Sequence, residues 1–262
     1  LGTNHANLQK SLDRLSSGKR ITEPADDAGG LAVSMKLEHT SKVLQGVSRN
    51  IANATSLLQV QDGVLKSAGD IISRIGELKS MYDDVTKNTS DKNTYEAELV
   101  DLQGQIEDLA ATSFNGIGLF DQTLVAATDL RVFLDETGTD AVSMDWTNHD
   151  LLGHADLITV TVAATAAGFD AGEITQAEIT TALERIATMR ATNGGEVRRL
   201  QYAQANTNTQ VVNIDAANGR IMDVDIAAES SNLAKQQVLV QASAAMTAQS
   251  NVANDVALML LQ

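Results

Sequence analysis

The sequence predicts a mainly α fold: a long antiparallel helical bundle or coiled-coil rod formed by both termini, carrying a small β-containing central insert. Three observations predict it. Apolar residues recur at steps of three and four over most of the chain outside residues 121–173. Pro24 is the one proline in 262 residues, so long helices escape the roughly 3 kcal/mol that an interior proline costs. Only 3% of residues are aromatic, which suits slender seams of Ala, Leu, Ile and Val better than a thick core.

Residues 1–18 place Leu8, Leu12 and Leu15 on one helical stripe, which a Ser-Ser-Gly break ends at Gly18. Residues 19–30 hold the proline, Asp26, Asp27 and paired glycines, the composition of an irregular connection. A very long helix is expected over about 31–85, with Leu44, Val47, Ile51, Ala54, Leu58, Leu65, Ile72, Ile75 and Leu78 on its stripe. Gly46, Gly63, Gly69 and Gly76 weaken it by about 1 kcal/mol each relative to Ala. After a polar break at 88–93, Tyr95, Leu99, Leu102, Ile106 and Leu109 alternate steps of four and three, the heptad of an antiparallel partner for the long helix.

Phe114-Asn115-Gly116 reads as a turn. Residues 130–134 and 157–162, rich in Val, Leu, Ile and Thr, read as short strands. Helical periodicity returns at Ile174 through Ile179, Leu183, Ile186, Val197, Leu200, Val211, Ile214 and Ile221. The last segment opens with Asp225 and Glu229, carries Leu233, Val238, Val240, Ala244 and Val252, and ends in an apolar run at 256–261. The expected organisation is therefore an assembly segment at 1–40, rod helices at 41–120, a variable insert at 121–173, a rod helix at 174–222 and a second assembly segment at 223–262. Neither terminal stripe has an obvious place to be buried within one monomer, so both are expected to be mobile alone and ordered in an assembly.

Charge and residue inventory exclude several classes of function. A formal net charge of -15 argues against a nucleic-acid partner, whose phosphates call for a basic face. With no cysteine there are no disulfides, thiolate ligands or thiol nucleophiles. No stretch reaches the roughly 18 to 20 apolar residues of a membrane span, and residues 256–261 fall far short, so no membrane insertion is expected. His149 and His154, with Asp145, Asp150 and Asp156 nearby, could donate to a metal if their loop folded suitably, but the sequence has no His-Glu-x-x-His, no phosphate loop and no nucleophile elbow. Neither a catalytic residue, a metal nor a cofactor is expected. Arg14, Arg20, Asp26 and Asp27 could bind a cation, act as an acid/base pair or form structural ion pairs, and structural pairing is the favoured reading.

Five blocks then resemble bacterial flagellin in order and spacing. They are SLDRLSSGKRIT with ADDAGGLAVSMKL (residues 11–22 and 25–37), RNIANATSLLQVQDGVL (49–65), TSFNGIGLF (112–120), NGRIMDVDIAAESSNL (218–233) and VLVQASAAMTAQSNVANDVALMLLQ (238–262). The resemblance implies an extracellular subunit of the bacterial flagellum that polymerises with itself into a helical filament for motility. It implies export without a cleaved signal peptide, an export chaperone covering the C-terminal apolar segment, and cap and junction proteins as further partners. Flagellins normally carry a further stretch ahead of the point matching Leu8, so a shortened N-terminus and poor polymerisation without that stretch are expected.

In this reading the assembly residues are Leu8, Leu12, Leu15, Arg20, Asp26, Asp27, Leu233, Val240, Leu258 and Leu261, and Asp27→Ala is expected to impair assembly more than monomer folding. Arg74, Glu77, Leu78 and Glu98 match positions through which some flagellins contact the animal innate flagellin receptor. Gly76 stands where those flagellins carry arginine, and a polar outer face with Leu78 in the bundle seam is the favoured reading. Two rivals remain. A hook-filament junction protein shares both ends, and Glu23-Pro24 leans that way, whereas Phe114-Asn115-Gly116 and Arg220-Ile221-Met222-Asp223 look like flagellin. A cell-surface protein binding a polysaccharide or host surface would need aromatic platforms, for which the insert offers Phe133, Trp146 and Phe169.

Overall fold

A computed structural model of the chain describes residues 2–120, 130–135, 137–139, 141–144, 151, 169 and 174–259. Its elements run α1 (Gly2–Ser17), α2 (Ala28–Tyr82), α3 (Thr89–Ala110), β1 (Ser113–Phe114), β2 (Ile117–Gly118), β3 (Leu130–Phe133), β4 (Ala141–Met144), α4 (Gln176–Met222) and α5 (Ile226–Met259). The expected strand at 157–162 and the histidine cluster at His149 and His154 lie outside the described residues. The chain divides into two units: unit 1 is Leu1–Val43 with Gln210–Gln262, and unit 2 is Leu44–Thr209.

Unit 2 holds nearly all the buried apolar surface. Every stripe residue expected for the long helix, from Leu44 to Leu78, is buried, and Leu57, Ala68 and Tyr82 join them. Against this face α4 runs antiparallel: Ser48 meets Gln204 and Asn208, Leu58 meets Asn193, and Asp62 meets Arg190. Each step up α2 is thus a step down α4. α3 packs antiparallel along α2 as well, with Arg74 paired to Glu98 and the Lys92 ammonium over the Tyr82 ring at 4.6 Å. Leu99 and Ile106 are buried on α3, but the buried residue between them is Gln103, while Leu102 is only half-buried. That corrects the expected heptad by one residue: the pattern marks which residues are apolar, while the rotation of the packed helix puts Gln103 in the buried position and Leu102 on its flank.

Helix starts are satisfied by side chains. Asn88 and Asp91 form a reciprocal capping box at α3, with the Asp91 N–H donating to Asn88 Oδ1 at 2.9 Å. At α4 the Thr175 N–H donates to Glu178 Oε2 at 2.6 Å and the Glu178 N–H to Thr175 Oγ1 at 3.3 Å. These contacts satisfy N–H groups that the first turn leaves without a helical partner. Asn115 (φ 52°) and Gly116 (φ 80°) make the two-residue turn joining β1 to β2, a conformation in which both residues need positive φ. The hairpin is tied to the bundle by Gln61, whose side-chain amide donates to the Leu119 carbonyl at 2.9 Å. Gln61 also accepts from Asn193, at 3.2 Å, and both are fully buried.

Two glycines of α2 fit against isoleucines of α4, which explains part of the glycine content. A Cβ at Gly69 would stand 3.5 Å from Ile186 Cγ2, and one at Gly76 3.3 Å from Ile179 Cγ2. At Gly63 it would meet nothing within 4 Å. Gly63→Ala and Gly69→Ala are therefore expected to stabilise unit 2 by up to about 1 kcal/mol each through helix propensity, whereas at Gly76 the tighter approach cancels that gain. Urea titrations of the three variants check the order.

Candidate assembly surfaces

In unit 1, α1 packs antiparallel against α5, and Asn4 Nδ2 donates to Ser243 Oγ at 3.3 Å and to the Leu239 carbonyl at 3.4 Å. The two connections of the unit are zipped together. Lys19 bridges Asp223 in antiparallel fashion, the Arg20 N–H donates to the Met222 carbonyl, and the Val224 N–H donates to the Gly18 carbonyl at 3.0 Å. Arg20 Nη2 adds a bond to the Ile221 carbonyl at 2.9 Å, one of the last carbonyls of α4. A cation there favours the negative end of the helix.

The other charged candidates also have partners within the unit. The Asp26 carboxylate, 4% exposed, pairs with the Lys10 ammonium and with Arg14 Nη2 at 3.6 Å. It also accepts the Thr22 N–H and hydroxyl, each at 3.2 Å, and the Glu23 N–H at 3.4 Å. These are structural pairs, with no open acid/base arrangement. Lys10, helped by the Thr22 N–H, holds the Asp26 carboxyl far below the usual carboxylate range. Because its folded pKa is depressed, its stabilising contribution is complete above the unfolded value of about 3.9 and is lost as pH falls through the lower folded value. The Thr22 amide resonance should therefore hold steady from pH 7 to pH 4 and move only below, and Asp26→Asn should abolish that acid transition.

Asp27 caps α2. Its Oδ1 accepts the Gly30 N–H at 2.8 Å and its carbonyl the Leu31 N–H at 2.9 Å. A Cβ at Gly30 would come within 2.4 Å of the capping carboxylate, so glycine gives the cap its room. Asp225 does the same for α5, where Oδ1 accepts from Ala227 at 3.0 Å and Ala228 at 3.1 Å. Losing such a cap costs about 1 kcal/mol. Asp27→Ala thus carries a local folding cost at the start of α2 beside the effect on assembly expected from the sequence.

Apolar surface is distributed very differently in the two units. Among the described residues of unit 1, the buried apolar side chains are Ile21 and Met222, while Leu12, Val33, Met35, Val238, Met246 and Val252 are exposed. α1 turns Leu8, Ser11 and Leu15 inward and leaves Leu12, 47% exposed, on its flank. Leu233 and Val240 are half-buried on α5. The side chain of Leu258, and Leu261 altogether, lie outside the described residues.

On unit 2, Arg74 Nη1 pairs with Glu77 at 2.9 Å and its Nη2 with Glu98 at 2.8 Å, all three side chains being open to solvent. Glu77 first, then Glu98, holds the Arg74 guanidinium more firmly protonated than usual. Leu78 is 0% exposed, so it is a seam residue and its side chain forms no part of a contact face. Phe169 is also buried, 5.3 Å from the Tyr82 ring, and offers no platform for a sugar, while Phe133 is exposed and Trp146 lies outside the described residues. Among the described residues no cluster could hold a metal ion, and no helix is long and apolar enough to cross a membrane.

Comparisons with known proteins agree with this layout. Residues 1–124 match the family model of the bacterial flagellin N-terminal helical region, and residues 177–261 that of the C-terminal helical region. The chain is 32% identical to a flagellin of Listeria monocytogenes over 261 residues, 96% of this chain and 91% of that protein. It is 32% identical to the flagellar filament 33 kDa core protein of Treponema phagedenis over 280 residues, 100% of this chain and 95% of that protein. Among solved structures, the crystal structure of Bacillus cereus flagellin is similar with a TM-score of 0.51 and 26% identity, covering 65% of this chain and 94% of that one.

Proposed function

The chain belongs to the bacterial flagellin family and is a structural subunit of the flagellar filament, outside the cell, and we propose that unit 1 is the part through which its copies join. The observation that carries this reading is the shortage of buried apolar side chains among the described residues of unit 1 beside its exposed Leu12, Val33, Met35, Val238, Met246 and Val252. Burying one such side chain stabilises an assembly by roughly 1.5 to 3 kcal/mol. Several together offset the ordering entropy of segments that become fixed on joining, about 1 to 2 kcal/mol per residue. A subunit that stacks head to tail without closing a ring gives a helical filament.

Leu8, Leu15, Leu233, Val240, Leu258 and Leu261 are assigned to the same joining of copies in this reading, and an export chaperone covers the C-terminal apolar run before assembly. Arg20, Asp26 and Asp27 act one step removed, by fixing the connections between helices. Export proceeds without a cleaved signal peptide, and cap and junction proteins meet the same terminal surface. The reading assigns no catalytic residue. An animal innate flagellin receptor would meet the exposed Arg74 and Glu98 side chains and not Leu78.

The test adds full-length chain to sheared filament seeds and follows elongation by electron microscopy. Growth from the seeds is the expected result, and absence of growth from competent seeds would sink the reading.

A further inference from the structure

The chain has no cysteine, so its seven methionines hold all of its sulfur. Among the described residues their side chains span a wide range of exposure. On α4, Met189 is 1% and Met222 8% exposed, whereas Met35 on α2 is 64% and Met246 on α5 71% exposed. Met35 and Met246 both belong to unit 1. Ser34, 4% exposed, donates its hydroxyl to Asn218 Oδ1 at 2.6 Å, which turns the Ser34 face of α2 toward α4. The next residue stands about 100° further round a helix, so the same packing holds the Met35 thioether out. Met246 stands among residues 244–252 of α5, every one of them exposed, within a run from 236 to 254 that has no charged side chain.

A thioether so placed is open to a chemistry that a leucine of similar size lacks. A sulfur lone pair attacks one oxygen of hydrogen peroxide, an S–O bond forms as the O–O bond breaks, and the leaving hydroxide takes the remaining proton to give water. Sulfur gives up two electrons and the peroxide gains them, and the product is methionine sulfoxide. Peroxide is neutral, so a chain of net charge -15 does not repel it. The change replaces an apolar side chain by a strong hydrogen-bond acceptor. On an exposed surface the sulfoxide is solvated and costs the monomer little. In a face buried between copies it needs a donor, and a buried acceptor without one is unfavourable.

We propose that Met35 and Met246 are oxidation sites at which peroxide disables the free subunit, and that joining a filament shields both thioethers. The proposal rests on the filament reading, because shielding needs copies that bury this part of unit 1. Met189 and Met222, closed within the fold, serve as slow internal standards on the same chain. The damage is reversible, since methionine sulfoxide reductases return the sulfoxide to the thioether, with a thiol supplying the two electrons and the oxygen leaving as water.

Full-length chain, as monomer and as filaments grown on seeds, would be treated with hydrogen peroxide, and sulfoxide at each methionine followed by peptide mass spectrometry. In the monomer Met35 and Met246 are expected to oxidise at least tenfold faster than Met189 and Met222, and in filaments to slow at least tenfold. Oxidised monomer should elongate seeds at least tenfold more slowly with unchanged helical content, and sulfoxide reductases with dithiothreitol should restore growth. The double variant Met35→Leu, Met246→Leu should keep its own growth rate through the same peroxide treatment. Equal oxidation of exposed and buried methionines, unslowed oxidation in filaments, native growth by the oxidised chain, or equal loss of growth in the double variant would overturn the proposal while leaving the filament reading intact. Failure of the untreated native chain to elongate seeds would overturn both.

Discussion

Full-length chain carrying Val238→Asp and Met246→Asp is expected to elongate filament seeds at no more than about a hundredth of the native rate, with unit 2 as stable as before. Both side chains are exposed on α5, 63% and 71%, so the monomer loses no buried contact. Exposed substitutions of this kind stay within about 0.5 kcal/mol. In a filament that buries this face, each change removes roughly 1.5 to 3 kcal/mol of apolar burial and adds the cost of desolvating a carboxylate. Every 1.4 kcal/mol is about a factor of ten, so two substitutions exceed a hundredfold. Seeded growth followed by electron microscopy gives the rate, and urea unfolding of the monomer gives the control. Native growth by this variant would mean that the exposed face of α5 stays exposed in the filament.

Much of this contrast was legible in the sequence, because it follows from periodicity. The stripe from Leu44 to Leu78 marks one face of a long helix, and all nine of its positions are buried. The Asn-Gly turn and the strand starting at Leu130 were equally plain, since positive φ and β-branched composition are local properties. The capping boxes Asn88–Asp91 and Thr175–Glu178 also carry a local signal, a polar residue followed by an acid three positions on, but apolar periodicity does not contain it.

What periodicity leaves out is polar and distant. Gln61 and Asn193 lie 132 residues apart, and nothing in an apolar pattern singles out two amides that meet in a core. The Lys19–Asp223 bridge depends on two connections that only the folded unit brings together. Leu78 and Leu12 both read as apolar stripe residues, yet one is fully buried and the other half open. Helix rotation decides between them, and it is set by the neighbours. The charged group at Arg20, Asp26 and Asp27 reads by composition as one cluster, but it separates into a helix-end contact, an ion pair and a cap.

Leu65→Ala carries the second large effect, and its direction is the converse of the first. Leu65 is 0% exposed in the middle of α2, where truncation loses both the transfer energy of the removed carbons and the contacts of the cavity left behind. Leucine-to-alanine changes at such sites cost about 2 to 5 kcal/mol. The upper part of that range is expected here, since long helices packed on one another cannot close around a local void without moving whole backbones. A domain is stable by only about 5 to 15 kcal/mol, so unit 2 would lose a large share of its margin. Leu12→Ala, on the exposed flank of α1, should change monomer stability by less than about 1 kcal/mol. Amide hydrogen exchange distinguishes the two cases: Leu65→Ala should speed exchange across the α2 and α4 residues of unit 2, and Leu12→Ala should leave them unchanged. If Leu65→Ala instead exchanged like the native chain, the side chains around it would have to repack, and the buried stripe of α2 would be a softer seam than its complete exclusion of solvent indicates.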